Sequence, residues 1–167
     1  MAAQTLKDKV VLITGGAKNL GGLISRKFAE QGAKLAIHYN SESSKADAEK
    51  TLAEVKALGI DAILLQADLS SIDRIEELFV KTKQHFGGID IAINTVGRVL
   101  KKPIVDTTEA EFDSMSDINS KIAYFFIQSA GRHLNDGGKI CTIVTSLLAA
   151  YTGLYSTYEG LKAPVEH

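Results

Sequence analysis

Residues 11–22 of the chain read VLITGGAKNLGG, an apolar run that leads into four closely spaced glycines. The apolar run is typical of a buried β-strand, and the glycines predict a turn that opens a helix. Absent side chains let backbone amides and the helix N-terminus approach a pyrophosphate. The spacing differs from G-x-G-x-x-G, so a tight connection without a ligand is the alternative interpretation. A P-loop is disfavoured, because Gly22 stands where its lysine belongs.

Four more short apolar runs follow along the chain: KLAIHYN, DAILLQA, IDIAIN and KICTIVT. They are continuous rather than alternating in polarity, as expected of parallel strands that are covered on both faces. Amphipathic stretches separate them. The alternation predicts a doubly wound parallel sheet of Rossmann type in three α-β-α layers, formed by one domain that spans residues 1–167.

Two of the amphipathic stretches carry signals for the start of a helix. In residues 70–86, Ser70 and Asp73 form a possible capping box ahead of apolar residues spaced by three and four. In residues 108–134, Thr108 and Glu111 form another. These patterns predict two long helices.

Composition narrows the classes of partner. The 167 residues are 45% hydrophobic with a formal net charge of -1, and the lysines and arginines are dispersed, so we expect neither nucleic acid nor an anionic membrane as partner. The longest clean apolar run is VVLI, and the opening residues lack the apolar stretch of a secretory signal, which predicts a cytoplasmic protein. The only cysteine, Cys141, excludes an internal disulfide, argues against a cysteine-based metal site, and is expected to be buried in a strand. No metal is predicted.

The residues after the second predicted strand bear on cofactor choice. A protein that prefers NAD commonly presents an acid here, whereas this chain presents Asn40 and Ser41, with Lys18 in the glycine turn nearby. These groups would accept a 2′-phosphate, so NADP is favoured over NAD. Glu42 dissents, although on the first turn of a helix it can complement the dipole. A solvated loop lysine is the alternative interpretation of Lys18.

Four further residues carry polar groups at positions that suggest a site. Tyr158 and Lys162 stand four apart, so they can share one face of a helix. Ser146 follows the fifth predicted strand, at an edge where such sheets keep reactive groups. Asn119 projects from an apolar stripe, where an unpaired buried amide would cost about 1–3 kcal/mol. A structural amide bonded to nearby backbone is the alternative for Asn119.

Together these residues resemble the classical short-chain dehydrogenases/reductases of the NADP-preferring type. TGGAKNLG at residues 14–21 resembles the family's cofactor turn, ADL with Asp68 its adenine-side contact, and NTVG at residues 94–97 its turn after strand four. Asn119, Ser146, Tyr158 and Lys162 resemble its catalytic tetrad. The cofactor-binding residues that the resemblance implies are Gly15, Lys18, Asn19, Leu20, Gly21, Tyr39, Asn40, Ser41, Asp68, Leu69, Asn94, Gly97, Tyr158 and Lys162. Asn19 departs from the pattern, because the family usually has glycine there, and Thr95, Val96 and Leu161 also depart.

The resemblance implies an NADP(H)-dependent oxidoreductase that interconverts a carbonyl and a secondary alcohol by hydride transfer. Tyr158 is then the proton donor or acceptor, and the ammonium of Lys162 favours its phenolate and reaches the nicotinamide ribose. Ser146 donates to the substrate oxygen, and Asn119 holds a water that relays the proton. The alternative is a catalytically silent NADP-binding or scaffold protein of the same fold. A methyltransferase is disfavoured, because the acid expected for its cofactor ribose is missing.

The family's sheet also implies more than these residues supply. Its members continue with further parallel strands beside strand five, so the chain is expected to be incomplete at its C-terminus and to leave strand five as an edge. The resemblance further implies a small-molecule carbonyl or alcohol substrate. It also implies a homodimer or homotetramer that pairs through the helices carrying Asn119 and Tyr158.

Overall fold

The computed structural model describes residues 5–166, which build a five-stranded sheet flanked by helices. The strands are β1 (Val10–Thr14), β2 (Lys34–Tyr39), β3 (Ala62–Gln66), β4 (Ile91–Asn94) and β5 (Lys139–Thr142). They are all parallel and lie in the order β3-β2-β1-β4-β5. The order reverses beside β1, the central strand, so the predicted doubly wound sheet is confirmed.

Helices connect the strands and cover both faces of the sheet. They are α1 (Asn19–Glu30), α2 (Lys45–Ala57), α3 (Ile72–Phe86), α4 (Glu109–Ser116), α5 (Ile122–His133) and α6 (Ser156–Lys162). A π-helical turn over Asp117–Lys121 joins α4 to α5, so the predicted helix 108–134 is divided in its middle. Short 3-10 turns occur at Glu42–Ser44, Ile104–Asp106, Ser146–Leu148 and Ala163–Val165. Within residues 5–166, none of the helices combines the length and the apolar character needed to span a bilayer.

The core is divided by the sheet into two apolar layers. Leu12 of β1 faces one layer together with Phe79 of α3 and Phe126 of α5, whose rings lie 5.2 Å apart between centroids. Val11 and Ile13 face the other layer with α1 and α2. Because β1 is buried on both faces, its side chains are apolar from Val10 to Ile13, which accounts for the apolar run that opens residues 11–22. Its last residue, Thr14, is also buried, and its hydroxyl donates to Asn94 Oδ1. Burial of each large side chain contributes about 1.5–3 kcal/mol.

The two predicted helix starts differ in outcome. The Thr108 and Glu111 capping box is confirmed, with the Glu111 carboxylate accepting the Thr108 N–H at 2.8 Å. Lys102 also bonds this carboxylate, and these bonds lower the pKa of Glu111 to about 2. The Ser70 and Asp73 box is wrong. Asp68 Oδ1 takes the Ser70 N–H at 3.0 Å, so α3 begins after Ser71.

The prediction of a buried Cys141 is also wrong, because the residue is exposed. Its strand, β5, is an edge of the sheet within residues 5–166 and pairs only with β4 there. The neighbouring Ile140 is likewise exposed. The apolar residues of KICT are therefore not buried within residues 5–166.

Candidate active site

The glycine turn after β1 depends on absent side chains. A Cβ added to Gly21 would lie 2.0 Å from the carbonyl oxygen of Gly15, and Gly15 itself has a φ of +68°. Asn19 has a φ of +50°. Asparagine is among the few residues other than glycine that adopt this left-handed region readily, which explains how it replaces glycine here. The turn thus lets a ligand approach backbone at the start of α1.

Two clefts meet at this turn. The first, of about 260 Å³, lies over the start of α1 and contains most of the predicted cofactor residues: Gly15, Lys18, Asn19, Leu20, Gly21, Tyr39, Asn40 and Gly97. The second, of about 450 Å³, contains Asp68 and Leu69 and shares Gly15, Asn40 and Val96 with the first. The clefts run along the carboxyl ends of the strands, where doubly wound sheets bind ligands.

Four predicted cofactor residues line neither cleft: Ser41, Asn94, Tyr158 and Lys162. Asn94 is buried, and its side-chain oxygen accepts bonds from Thr14 Oγ1 at 2.7 Å and from the Val96 N–H at 3.1 Å. It thereby ties the end of β1 to the turn after β4. Ser41 begins the 3-10 turn before α2, where its side chain bonds Ser43 at 2.9 Å. Asn94 and Ser41 thus bond residues next to the clefts and do not line the clefts themselves.

Lys18 carries a contact that the sequence did not reveal. Its Nζ lies 3.3 Å from Asp47 Oδ2 on α2, and each side chain is about half exposed. Lys18 is the residue just before α1, so its ammonium stands at the rim of the first cleft. An anion that reaches this rim meets a lysine already paired with a carboxylate.

Gly97 is the point where two of the predicted tetrad residues meet. A Cβ added to Gly97 would lie 3.0 Å from Asn119 Oδ1 and 3.0 Å from Lys162 Nζ. Asn119 is buried in the π-helical turn, and Lys162 is buried at the end of α6. The missing side chain of Gly97 therefore leaves room for an amide and an ammonium at the carboxyl end of β4.

Asn119 is held by the backbone around it. Its Oδ1 accepts the Arg98 N–H at 3.0 Å, and its Nδ2 donates to Arg98 O at 3.0 Å and to Met115 O at 3.1 Å. Both amide hydrogens are thus used, and one acceptor position of the oxygen is left. The side chain has the bonds of a structural amide that fixes the loop after β4.

Lys162 connects α6 to the end of β5. Its Nζ donates to Ile143 O at 3.0 Å, and its side chain is only 3% exposed. Burial lowers the pKa of Lys162, because the charged form loses water. Ser120, next to Asn119, donates to Leu161 O, which fastens α6 to the π-helical turn. The ammonium keeps hydrogens beyond the one that bonds Ile143.

The other two tetrad candidates flank Lys162 along the chain. Tyr158 lies one helical turn before it on α6 and is half-buried. Ser146 is exposed and begins the 3-10 turn three residues after Ile143, where Thr145 Oγ1 accepts the Leu147 N–H at 3.3 Å. Lys162 is bonded to the segment that leads to Ser146, so β5 and α6 are joined beside the end of β4. A phenol, a hydroxyl and an ammonium on these elements are the groups needed to move a proton to or from a substrate oxygen.

Several residues at the clefts were missed by sequence reasoning. His38 and Arg98 line the second cleft, and Ser44 and Thr95 line the first. Thr95 Oγ1 donates to Thr14 O at 2.8 Å, which ties the turn after β4 to the end of β1. His38 had a detectable signal, since it is the polar residue inside the apolar strand KLAIHY.

Comparisons with known proteins agree with this arrangement. A family model described as enoyl-(acyl carrier protein) reductase matches residues 15–167. Hydroxynaphthalene reductase-like protein Arp2 of Metarhizium brunneum is 32% identical over 98% of this chain and 61% of its own length. A short chain dehydrogenase of Claviceps purpurea is 35% identical over 96% of this chain and 61% of its own length. The chain thus spans about three fifths of the curated relatives it matches.

Solved structures that resemble this chain are also dehydrogenases, and the chain again covers only part of each. A Burkholderia cenocepacia dehydrogenase solved with bound NADP superimposes with a TM-score of 0.95 and 61% identity, over 100% of this chain and 63% of its own. A short-chain dehydrogenase of Oenococcus oeni superimposes with a TM-score of 0.79 and 52% identity, over 97% of this chain and 70% of its own.

Proposed function

Because the chain belongs to the short-chain dehydrogenase/reductase family, we propose that it is part of an NADP(H)-dependent oxidoreductase that interconverts a carbonyl and a secondary alcohol. The observation that carries the proposal is the meeting of Asn119 and Lys162 at Gly97, with Lys162 also bonded to the strand end that leads to Ser146. Gly97 lines the first cleft, so Asn119 and Lys162 lie beside the wall of that cleft at the carboxyl end of β4.

The proposed cofactor fits the residues of the two clefts. The glycine turn offers backbone and the start of α1 to a pyrophosphate, and the absent side chain of Gly21 lets the first turn of α1 pack against the Gly15 carbonyl. Lys18 and Asn40 at the rim of the first cleft are the groups that would bind a 2′-phosphate. We assign Asp68 and Leu69, which line the second cleft, to the adenine side of the cofactor. The NADP in the Burkholderia cenocepacia structure supports this choice.

A bound nicotinamide would supply or accept the hydride. The substrate oxygen has to gain or lose one proton for each hydride that is transferred. We assign the proton to the Tyr158 hydroxyl. In the reductive direction Tyr158 donates to the carbonyl oxygen as it becomes an alkoxide, and in the oxidative direction it accepts the alcohol proton. Ser146 donates a hydrogen bond to the same oxygen and holds it beside the phenol.

Lys162 has two proposed tasks. Its ammonium would stabilise negative charge that develops on the Tyr158 oxygen during proton transfer, and its hydrogens beyond the one bonded to Ile143 would be available to the nicotinamide ribose. Burial lowers the pKa of Lys162, so its charge is maintained at a cost that the bond to Ile143 O partly offsets.

The role proposed for Asn119 is narrower than the sequence implied. Both hydrogens of its amide are bonded to backbone, so a proton-relaying water can meet only the remaining acceptor position of Oδ1. Its more direct task is to hold the loop at Gly97 and Arg98 beside Lys162. The relay stays a prediction.

Assembly and location are also proposals. An open groove lies beside α5 and the end of α6, and its lining includes Ser120, Tyr124, Phe125, Ile127, Pro164 and Val165. A groove of this composition supports the pairing of these helices in a homodimer or homotetramer, which sedimentation velocity would measure. Residence in the cytoplasm stays a prediction from the sequence.

The proposed function is tested on the complete protein of which this chain is part, by following NADPH oxidation at 340 nm with a panel of aldehydes and ketones, alongside NADPH binding by calorimetry. Binding together with turnover of at least one carbonyl compound is expected. Binding without turnover of any of them would indicate the silent NADP-binding protein instead. If NADPH does not bind, both the oxidoreductase and the silent NADP-binding protein are ruled out.

A further inference from the structure

His38 is a buried polar side chain with two hydrogen bonds to backbone. It lies in β2 and is 2% exposed. Its Nδ1 accepts the Gly15 N–H at 3.1 Å, and its Nε2 lies 2.9 Å from Ala67 O. A backbone N–H can only donate and a carbonyl can only accept, so Nδ1 carries no hydrogen and Nε2 carries one. The two contacts thus determine the tautomer.

These contacts join three strand ends that build the clefts. Gly15 is the first residue after β1, Ala67 directly precedes Asp68 after β3, and Tyr39 and Asn40 follow His38 at the end of β2. An apolar side chain of the same size could fill the space but could not make either bond. Without the imidazole, the Gly15 N–H and the Ala67 carbonyl would each lose a hydrogen-bond partner, which is unfavourable for a buried polar group.

The Gly15 peptide is a sensitive place for such a bond. Its φ of +68° and the contact of its carbonyl with Gly21 set the course of the turn into α1. The imidazole fixes the orientation of the N–H on the same residue. Burial lowers the pKa of His38 to about 4, so the ring stays neutral and keeps its acceptor at neutral pH.

We propose that His38 is a positioning residue for the cofactor, because its imidazole locks the Gly15 peptide to the end of β3 and so preforms both clefts. The inference rests on the proposed binding of NADP(H). His38 acts through Gly15 and the chain at Ala67, and a preformed turn binds more tightly because less ordering is left to binding. The bond to Gly15 is the one that affects affinity; the bond to Ala67 mainly adds stability.

Two substitutions separate the bonds. In His38→Asn the side-chain oxygen takes the place of Nδ1, and in His38→Gln the amide nitrogen takes the place of Nε2. Each variant keeps one bond and loses the other, so the losses of stability should be similar. We expect the asparagine variant to keep a Kd for NADPH within about three-fold of wild type and the glutamine variant to weaken it about ten-fold, the effect of one hydrogen bond.

The measurements are NADPH titration calorimetry and thermal melts on wild type and both variants. Equal changes of Kd in the two variants, or changes that follow Tm alone, would overturn the inference while leaving the proposed function in place. Failure of wild type to bind NADPH would overturn the proposed function and this inference with it.

A measurement on wild type decides the matter if the variants do not fold. The ¹⁵N shifts of the His38 ring should show a protonated Nε2 and an unprotonated Nδ1 from pH 7 to pH 5, and NADPH should shift the Gly15 amide but leave this tautomer unchanged. A protonated Nδ1, or a change of tautomer when NADPH binds, would contradict the proposed positioning.

Discussion

Replacing Asp47 with asparagine should tighten the binding of NADPH and leave NADH unchanged. Asp47 Oδ2 lies 3.3 Å from Lys18 Nζ, the ammonium proposed to bind the 2′-phosphate. The phosphate therefore has to compete with a carboxylate for the lysine and is also repelled by it. NADH has no phosphate at this position, so it serves as the internal control.

The size of the effect follows from the geometry and exposure of the pair. Two unit charges 3.3 Å apart attract by about 1.3 kcal/mol in bulk water. Both side chains are about half exposed, so salt and side-chain entropy reduce the net value to about 0.5–1 kcal/mol. Asp47→Asn should accordingly lower the Kd for NADPH about two- to five-fold. Removal of the cation by Lys18→Ala should weaken NADPH by about 1–3 kcal/mol.

The assay is a double-mutant cycle of Asp47→Asn and Lys18→Ala, read by calorimetric Kd for NADPH and NADH at low and high salt. Glu49→Gln removes another exposed negative charge from α2 and is the matched control, with a smaller expected effect. If Asp47→Asn tightens NADPH equally well when Lys18 is alanine, the ion pair does not mediate the effect. If the change appears equally with NADH, the reasoning about the phosphate is refuted.

Three other predictions follow from single contacts. The folded-state pKa of His38, about 4, lies below its unfolded value of about 6.5, so folding stability should be full above pH 6.5 and should fall by about 3 kcal/mol as the pH drops to 4, as measured by urea unfolding; a flat profile would contradict it. Asn19→Gly should leave stability within about 1 kcal/mol, whereas Asn19→Val should lose more than that, because its φ of +50° disfavours a β-branched residue; equal melting temperatures would count against it. Lys162→Met should weaken NADPH about ten-fold and slow turnover about a hundred-fold, whereas exposed Lys83→Met should do neither, as titration and steady-state rates would show.

The fold was predictable because its signals are local. Each continuous apolar run became a parallel strand, and Thr108 with Glu111 formed the capping box that their spacing requires. The failures involve neighbours that are not local in the pattern. Asp68 accepts the Ser70 N–H in place of a capping box, and Cys141 is exposed because its strand is an edge of the sheet that residues 5–166 form. Burial and competition for a donor depend on the assembled sheet.

The candidate site was predictable in its parts but not in its contacts. The glycine turn and the order of the tetrad candidates could be read from the sequence. The pairing of Lys18 with Asp47 could not be read from the sequence, because Lys18 precedes α1, Asp47 lies in α2, and both have the charge of ordinary surface residues. The π-helical turn around Asn119 was equally hidden, because its residues fit the apolar stripe of a continuous α-helix. The hydrogen bonds of His38 could not be predicted either, because they depend on how the ends of β1, β2 and β3 lie relative to one another.

The most direct test of the proposed chemistry is the rate of NADPH oxidation by Tyr158→Phe, with a carbonyl compound that wild type reduces. The variant keeps the half-buried ring on α6 and removes the proton donor. Turnover should fall by about 10²–10⁴, the usual contribution of a positioned acid or base, while the Kd for NADPH changes less than about three-fold. Tyr155→Phe is the control, since it removes a hydroxyl from the residue just before α6 and should keep near-wild-type turnover. Near-normal turnover by Tyr158→Phe would contradict the central claim that this phenol carries the proton.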